Sequence, residues 1–378
     1  MDDSDRASAR ASSSADFLEF NFSLKGDGSP WSVEQSMTQL LAHESAEGFA
    51  LSLAVSVQED ARVIHELGRR RTPTALAALR GFQAMSTIDT QRELARMNAD
   101  RIVQEGIPEP PWTSTIGRVR VDRCWWAHDQ FDETAIVLFA FSYDGNDEHA
   151  ILAMIDRTVG DGLFRELTLS MHLDSLLEVL QYAEKGDEGF VSEPLDPAFG
   201  RRLLEEAIAT SDELTEDREY KPKPVPAAYR KMRALTLARA RALSDVAAPP
   251  EPFPSSVEIE LLKRTFLASG AAAGLPADDT TTQAVDLLVT QFTDEAGCHP
   301  VRIGPRLVLA VLGLPALAPE HIDDPEVARI LPDVAEAWVS WTATERGLPD
   351  DAVERLEQAT KEACAHLRAG EPEGHETT

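Results

Sequence analysis

Residues 136–156, IVLFAFSYDGNDEHAILAMID, contain two apolar runs separated by a polar turn. The runs at 136–141 and 151–155 are short and bounded by polar residues, which is typical of β-strands. The turn Asp144-Gly145-Asn146-Asp147 carries the Asp-Gly pair that favours a tight hairpin. This stretch therefore predicts a β-hairpin, around which the rest of the fold is built.

Further short apolar runs lie on both sides of the hairpin. One precedes it at 119–121 and another follows it at 167–169. Together these runs predict a three- or four-stranded antiparallel meander over about residues 115–170. Because the run at 136–141 is apolar on both faces, helices must cover both sides of the sheet, and residues 174–184 can form one of them.

The segments before and after the meander have apolar residues at helical spacing. About four helices are expected over residues 31–106, where Thr72 precedes a proline as an N-cap and Ser32 with Gln35 forms a capping box. The last third of the chain has the same helical spacing. The predicted class is therefore α+β, with N-terminal helices, a central three- to four-stranded antiparallel meander covered by helices, and an all-helical C-terminal part.

Proline-rich stretches and shifts in composition divide the chain. Proline lacks a backbone donor and disfavours helix in the residue before it, so clustered prolines separate regions. The predicted divisions are a disordered tail at 1–15, a helical region at 16–106, an α+β region with the meander at 107–245, a proline-rich linker at 246–255, a helical C-terminal domain at 256–370 and a loose tail at 371–378.

Charge excludes some classes of partner. The 378 residues include 65 Asp and Glu against 36 Lys and Arg, a formal net charge of −29. Nucleic-acid binding depends on a basic footprint, so this balance disfavours a DNA-coating protein and an anionic membrane surface. It is compatible with a basic protein partner. Since no stretch approaches the roughly 20 apolar residues that cross a bilayer, we expect an acidic, soluble protein.

The cysteines and the N-terminal residues indicate the compartment. Cys124, Cys298 and Cys364 are far apart and odd in number, which fits reduced thiols better than a disulfide framework. Residues 1–15 lack the apolar core of a secretory signal. We therefore expect a cytoplasmic protein.

The catalytic candidates lie in the meander. The motifs of dinucleotide-binding, P-loop, zincin and α/β-hydrolase sites are absent from the sequence. His149 is a candidate general base, which Asp156 or Asp129 would orient, and His128 lies nearby in the sequence. On a strand, however, His149 and Asp156 point to opposite faces. The favoured alternative is structural, with His149 beside a turn and Asp156 capping the loop at 158–162.

A metal site has little support in the residue spacing. It would require the four candidate side chains of the meander to converge, and nothing in their spacing requires that. Cys298-His299 and Cys364-Ala-His366 do not have the usual spacing of structural zinc ligands. We therefore predict no metal and no cofactor.

Two further groups are candidates for binding. Trp125 and Trp126 are adjacent on a predicted strand, where core packing is favoured over a ligand-stacking platform. Arg230 and Arg233 belong to a predicted basic helix at 229–243. That helix is either a nucleic-acid surface or, as favoured, the partner of the acidic segment that precedes it.

The chain resembles a group of uncharacterised actinobacterial proteins. The resemblance lies in residues 149–156, HAILAMID, with Gly160 following, and in Pro300-Val-Arg-Ile303, Leu331-Pro-Asp-Val-Ala-Glu-Ala-Trp338 and Arg346-Gly-Leu-Pro349. The preference for Arg over Lys, 29 against 7, agrees with it. The resemblance covers about a third of the chain and implies an architecture without assigning catalytic residues.

These observations predict a protein-interaction or regulatory module without catalysis, acting through an unidentified protein partner. One alternative is a metal-assisted or acid/base hydrolase centred on the meander. A second alternative is a nucleic-acid-associated regulator that uses the basic helix at 229–243.

Overall fold

The structure is a computed structural model, and it describes residues 15–16, 29–42, 53–160, 162–186, 189–216, 225–243, 245–247 and 253–369. Three of the predicted features fall wholly or mainly outside these ranges. They are the tail at 1–15, the tail at 371–378 and the centre of the proline-rich linker.

From residue 29 to the sheet, the described residues form α1 (Pro30–Leu41), α2 (Leu53–Arg70), α3 (Pro73–Met85) and α4 (Asp89–Gln104). The predicted capping box at Ser32 is wrong, because α1 already begins at Pro30 and Ser29 is its N-cap. The Ser29 hydroxyl accepts a hydrogen bond from the Ser32 amide. The predicted Thr72 cap is confirmed, since its hydroxyl accepts from the Ala75 amide at 3.0 Å.

The sheet contains β1 (Arg120–His128), β2 (Thr134–Tyr143), β3 (Asn146–Asp156), β4 (Leu163–Ser170) and β5 (Val191–Pro194). Its strand order is β4-β3-β2-β1-β5, and all neighbours are antiparallel. The predicted hairpin is confirmed. Tyr143 pairs with Asn146, and the two residues between them, Asp144 and Gly145, have φ of 50° and 83°. Such left-handed pairs form the turns that match the twist of a hairpin.

The α+β class is confirmed, but the sheet has a fifth strand that the sequence did not predict. β5 is only four residues long and pairs with β1 at the edge of the sheet. Its sequence, Val-Ser-Glu-Pro, contains one β-branched residue and a proline, so it has no apolar alternation. Its strand conformation therefore follows from pairing with β1 rather than from its own composition.

Three helices cover the sheet: α5 (Leu173–Glu184), α6 (Pro197–Glu216) and α7 (Ala227–Ala242). Alternate residues of β2 point to opposite faces. Val137 and Phe139 belong to a core shared with α6 and α7, whereas Ile136 and Leu138 belong to a core shared with α5. The predicted helical cover on both sides of β2 is thereby confirmed.

The C-terminal part is helical, as predicted, with α8 (Ser256–Leu267), α9 (Asp279–Thr290), α10 (Pro305–Leu312), α11 (Pro325–Glu345) and α12 (Asp350–Ala369). Its core surrounds Trp338, which is fully buried. The Trp338 ring centroid lies 5.0 Å from those of Phe266 and Trp341, and its indole N–H donates to the Pro300 carbonyl at 3.0 Å. In the described part of the chain, no helix is both long and apolar enough to cross a bilayer.

Candidate functional site

Four polar side chains from distant parts of the sequence meet in the core: Glu34 of α1, Tyr143 of β2, His149 of β3 and Arg239 of α7. We call them the buried quartet. Glu34 and Arg239 form a fully buried ion pair at 2.6 Å. The Tyr143 hydroxyl donates to the Glu34 carboxylate at 2.5 Å and accepts from Arg239 at 2.8 Å. The quartet therefore ties α1 and α7 to the turn end of the hairpin.

His149 is a structural member of this quartet. Its Nε2 accepts from the Arg239 Nε at 2.9 Å, and its Nδ1 bonds the Asp147 carbonyl at 2.9 Å. Its ring packs on Trp31, with centroids 4.4 Å apart. Burial, together with the charge of Arg239, lowers the pKa of His149 to about 4. Both ring nitrogens are thus occupied, and the imidazole is not placed to take a proton from a substrate.

His149 and Asp156 do not share a site. In the β2–β3 register His149 is opposite Phe141, whereas Asp156 is opposite Thr134 at the other end of the strand. Seven residues at about 3.3 Å each separate them by about 23 Å along β3. A hydrolase that uses both side chains together is therefore contradicted by their positions.

Asp156 is fully buried and holds the end of β3 in place. Its Oδ1 accepts from the amide and the hydroxyl of Thr158, at 3.0 and 2.6 Å, so it caps the following loop as the structural interpretation predicted. Its Oδ2 accepts from Arg165 at 2.5 Å and from Arg306 at 2.7 Å. Because Arg306 belongs to α10, Asp156 also joins the sheet to the C-terminal helices.

Asp129 and His128 are likewise held by local contacts. The Asp129 carboxylate accepts from the amides of Phe131 and Thr134, at 2.7 and 2.6 Å, and so closes the turn between β1 and β2. The His128 ring stacks on Trp126 with centroids 4.1 Å apart, and its Nε2 lies 3.6 Å from the Glu193 carboxylate. The two residues take part in different contacts and do not converge on one ligand.

A metal centre has no geometric support in the described ranges, where no group of three or more His, Cys, Asp or Glu side chains is arranged to hold an ion. The three cysteines are buried as free thiols. Burial raises the thiol pKa to about 11 at Cys124 and to about 12 at Cys364. Such thiols are protonated and unreactive at neutral pH.

Trp125 and Trp126 pack against opposite faces of the sheet. Trp125 contacts the core under α5, whereas Trp126 contacts the core under α6 and α7. The Trp126 indole donates to Glu193 at 3.2 Å, and its ring meets the ring of Phe199 edge-on at 5.4 Å. The two indoles therefore do not form a common stacking platform.

Three arginines of the basic helix, α7, are bound to groups within the molecule. Arg233 donates to both oxygens of Asp212, at 2.6 and 2.5 Å, and Arg239 is buried in the quartet. Arg230 donates to the Val225 carbonyl at 3.2 Å. The predicted pairing with the acidic segment is confirmed at Asp212, while residues 217–219 of that segment lie outside the described ranges.

A second buried carboxylate, which the sequence analysis did not single out, lies where the sheet meets the C-terminal helices. Glu133 accepts from the amides of Leu307 and Arg306, at 2.6 and 3.1 Å, at the N-terminus of α10. Burial raises the pKa of Glu133 to about 7. Nothing in the local sequence marks this residue, because its partners are more than 170 positions away.

Three exposed apolar side chains, one just before α8 and two on it, form a group that we call the α8 stripe. Phe253, Val257 and Leu261 are 54%, 73% and 56% exposed. They are spaced four residues apart, so Val257 and Leu261 lie on one face of the helix, one turn apart. The opposite side of α8 carries its one buried residue, Phe266.

Comparison with protein-family models, with curated proteins and with solved structures finds no match to the chain. The functional argument therefore rests on the described residues and their contacts. Among them, the catalytic candidates are bound into the fold, whereas the α8 stripe is exposed.

Proposed function

We propose that this chain is a protein-interaction or regulatory module without catalysis, and that it docks a partner through the α8 stripe. The observation that carries the proposal is the exposure of two apolar side chains, Val257 and Leu261, on one well-formed helix and of a third, Phe253, just before it. Contiguous apolar groups on a surface commonly mark interaction sites. Helices often present such residues, spaced three or four apart, to a groove in a partner.

The helix that bears the stripe is rigid enough to serve as a docking element. Ser255 and Glu258 form a complete capping box at its N-terminus. Lys263 contacts both Glu260 of α8 and Asp286 of α9. The helix is thus fixed from its core-facing side, and less ordering entropy is lost when its outer face binds a partner.

Charge indicates the chemistry of that partner. A chain with a net charge of −29 repels acidic proteins and attracts basic ones. We therefore infer a protein with an apolar groove whose rim carries Lys and Arg. The three buried free thiols fit a reducing compartment, which supports a role in the cytoplasm.

The other candidate functions receive less support. The hydrolase would have to work without the pairing of His149 and Asp156, which lie at opposite ends of β3. A nucleic-acid regulator would have to use α7, in which Arg233 is bound to Asp212 and Arg239 is buried. Neither alternative has an observation in its favour comparable with the α8 stripe.

The test is quantitative affinity capture from host lysate, followed by binding measurements with the purified captured protein. A Val257→Ser/Leu261→Ser double variant is expected to weaken that binding at least about tenfold, because exposed apolar anchors become buried on docking. Tyr182→Ser is the matched control, since Tyr182 is 80% exposed on α5. Equal affinity for the wild type and the double variant would contradict the proposed site.

Two other outcomes would overturn the proposal. If sedimentation equilibrium shows a dimer that the double variant abolishes, the stripe is a contact between copies of this chain rather than a partner site. Turnover of any substrate that is lost in a folded His149→Ala variant would return the protein to the enzyme class.

A further inference from the structure

Arginines surround a cavity between α3, α4, the loop before β1 and the C-terminal end of α7. Its volume is about 340 Å³. Among the described residues that line it, four are arginines, Arg80, Arg92, Arg118 and Arg241, and none is acidic. This concentration of positive charge occurs in a chain whose net charge is −29.

Two of the four arginines are neutralised by carboxylates that do not line the cavity. Arg80 forms ion pairs with Asp100 and Glu109. Arg92 pairs with Asp89. These two guanidinium groups therefore contribute little net charge to the cavity, although they add hydrogen-bond donors to its wall.

The other two arginines keep their charge. Within the described part of the chain, neither Arg118 nor Arg241 has a carboxylate in ion-pair contact. Arg241 is fixed by the carbonyls of Ser86 and Thr87, to which it donates at 3.1 and 3.0 Å. Burial and the neighbouring Arg92 lower the pKa of Arg241 to about 10, so it is still cationic at neutral pH.

The rest of the lining consists of uncharged residues. Ile116, Ala84 and Ala238 contribute apolar surface. Gln83 contributes an amide whose oxygen already accepts from Arg80 at 2.8 Å, which leaves its N–H groups as donors. The cavity thus offers hydrogen-bond donors, positive charge and apolar contact.

We propose that this cavity binds a small phosphorylated organic molecule, whose phosphate monoester group lies between Arg118 and Arg241. A phosphate monoester carries about −1.5 to −2 charges at neutral pH, which matches the two guanidinium groups that form no ion pair with the described residues. The planar fork of arginine fits phosphate oxygens in pairs. The volume is within the range of small-molecule sites, roughly 300 to 1,000 Å³.

This site is independent of the α8 stripe. The cavity belongs to the N-terminal helices and α7, whereas the stripe belongs to the C-terminal helices. Phosphate-ester binding and partner docking are measured with different variants, so either proposal can fail while the other stands.

The experiment is isothermal titration calorimetry of the full chain at low salt, with phenyl phosphate as the probe. Phenol, which has the same ring without the charge, is expected not to bind. Inorganic phosphate is expected to bind more weakly than phenyl phosphate, because it has no ring to contact the apolar lining residues. Added NaCl is expected to reduce the affinity by screening. Absence of phenyl phosphate binding would overturn the proposal.

Arg118→Gln is the decisive variant, because Arg118 is exposed and its side chain has no ion pair with the described residues. It is expected to fold normally and to weaken phenyl phosphate binding about tenfold or more. Arg241→Gln is expected to weaken it similarly, with circular dichroism as the check on folding. Arg230→Gln on the same helix is the matched control and is expected to change nothing.

Two results would contradict the assignment directly. Unchanged affinity in Arg118→Gln would place the binding elsewhere on the chain. A single-stranded oligonucleotide that binds more tightly than phenyl phosphate and competes with it would assign the arginines to nucleic-acid backbone and overturn the small-ligand proposal.

Discussion

Glu133 and His149 are two buried ionisable side chains with opposite effects on stability as the pH changes. Glu133 has its pKa raised to about 7 from 4.5, and His149 has its pKa lowered to about 4 from 6.5. The contribution of Glu133 to the free energy of unfolding is lost as the pH rises. The contribution of His149 is lost as the pH falls. Between these limits the two effects offset each other, so single variants are needed to separate them.

Glu133→Gln tests the first effect. The wild-type carboxyl stabilises the fold fully below pH 4.5, and this contribution disappears as the pH rises through 7, because ionisation is easier in the unfolded chain. The loss amounts to about 3 kcal/mol. Urea unfolding at a series of pH values is expected to show that the variant loses less stability than the wild type over this range. An unchanged pH dependence would contradict the assignment.

His149→Gln tests the second effect and keeps an acceptor for Arg239. In the wild type, protonation of the unfolded chain below pH 6.5 removes stability until the pH approaches 4. The variant is expected to lack this loss, which is about 3 kcal/mol. His65→Gln, at an exposed position of α2, is the control and should follow the wild-type curve.

Glu34→Gln tests the buried ion pair. The substitution leaves the Arg239 charge in the core without its carboxylate, and Arg239 Nη1 already lacks a hydrogen-bond partner among the described residues. Breaking such a pair from one side typically costs about 3–5 kcal/mol of unfolding free energy. A Glu34→Leu/Arg239→Met double variant is expected to recover much of this. Equal destabilisation of single and double variants would show that the pair itself is not the cause.

At the scale of the element, the junction between the sheet and α10 depends on close approach. A Cβ atom at Gly304, the residue before α10, would lie 2.4 Å from the Glu133 carboxyl carbon and 2.6 Å from Phe131 Cβ. Gly304→Ala is therefore expected to lower the unfolding free energy by about 1–3 kcal/mol in urea unfolding. Gly270→Ala is the control, because nothing lies within 4 Å of its Cβ position. Similar stability of the two variants would contradict this packing argument.

The individual helices and strands show which parts of the fold the sequence could predict. The strands β1 to β4 and the helices on both sides of β2 have apolar patterns that local physics can interpret. β5 lacks such a pattern, because its conformation comes from pairing with β1. The arginine cavity and the partners of Glu133 depend on contacts between distant segments, so no local spacing reveals them.

The positions of His149 and Asp156 along β3 also explain why these two catalytic candidates do not form one site. Alternation along β3 correctly separated His149 and Asp156 onto opposite faces. It did not reveal their partners, because Arg239 and Arg306 come from α7 and α10. The sequence therefore identified polar residues that stabilise the fold. It could not distinguish a buried network of ion pairs from a reactive site.

At the scale of the whole molecule, polar contacts add to the apolar packing that connects the regions of the chain. The buried quartet joins the N-terminal helices to the sheet. Glu133 and Asp156 join the sheet to the C-terminal helices. The two junctions use opposite ends of the same hairpin, which makes the β2–β3 pair the central support of the fold.

The net charge gives a prediction for the whole chain. With 65 acidic and 36 basic side chains, like charges repel one another on average. Screening reaches a length of about 10 Å at about 0.1 M salt, so added NaCl is expected to raise the unfolding free energy. KCl should act equally, because screening does not depend on the ion. Destabilisation by both salts would show that attractive ion pairs outweigh the repulsion.

The buried quartet also constrains the order in which the chain can fold while it is being synthesised. Glu34 and Arg239 are 205 residues apart. At roughly 5 to 20 residues per second, the ribosome adds Arg239 about 10 to 40 s after Glu34. Until then the Glu34 carboxylate lacks Arg239, so α1 cannot complete its native contacts. The buried quartet can therefore form only after α7 has left the exit tunnel. During that interval, chaperones can bind the N-terminal helices.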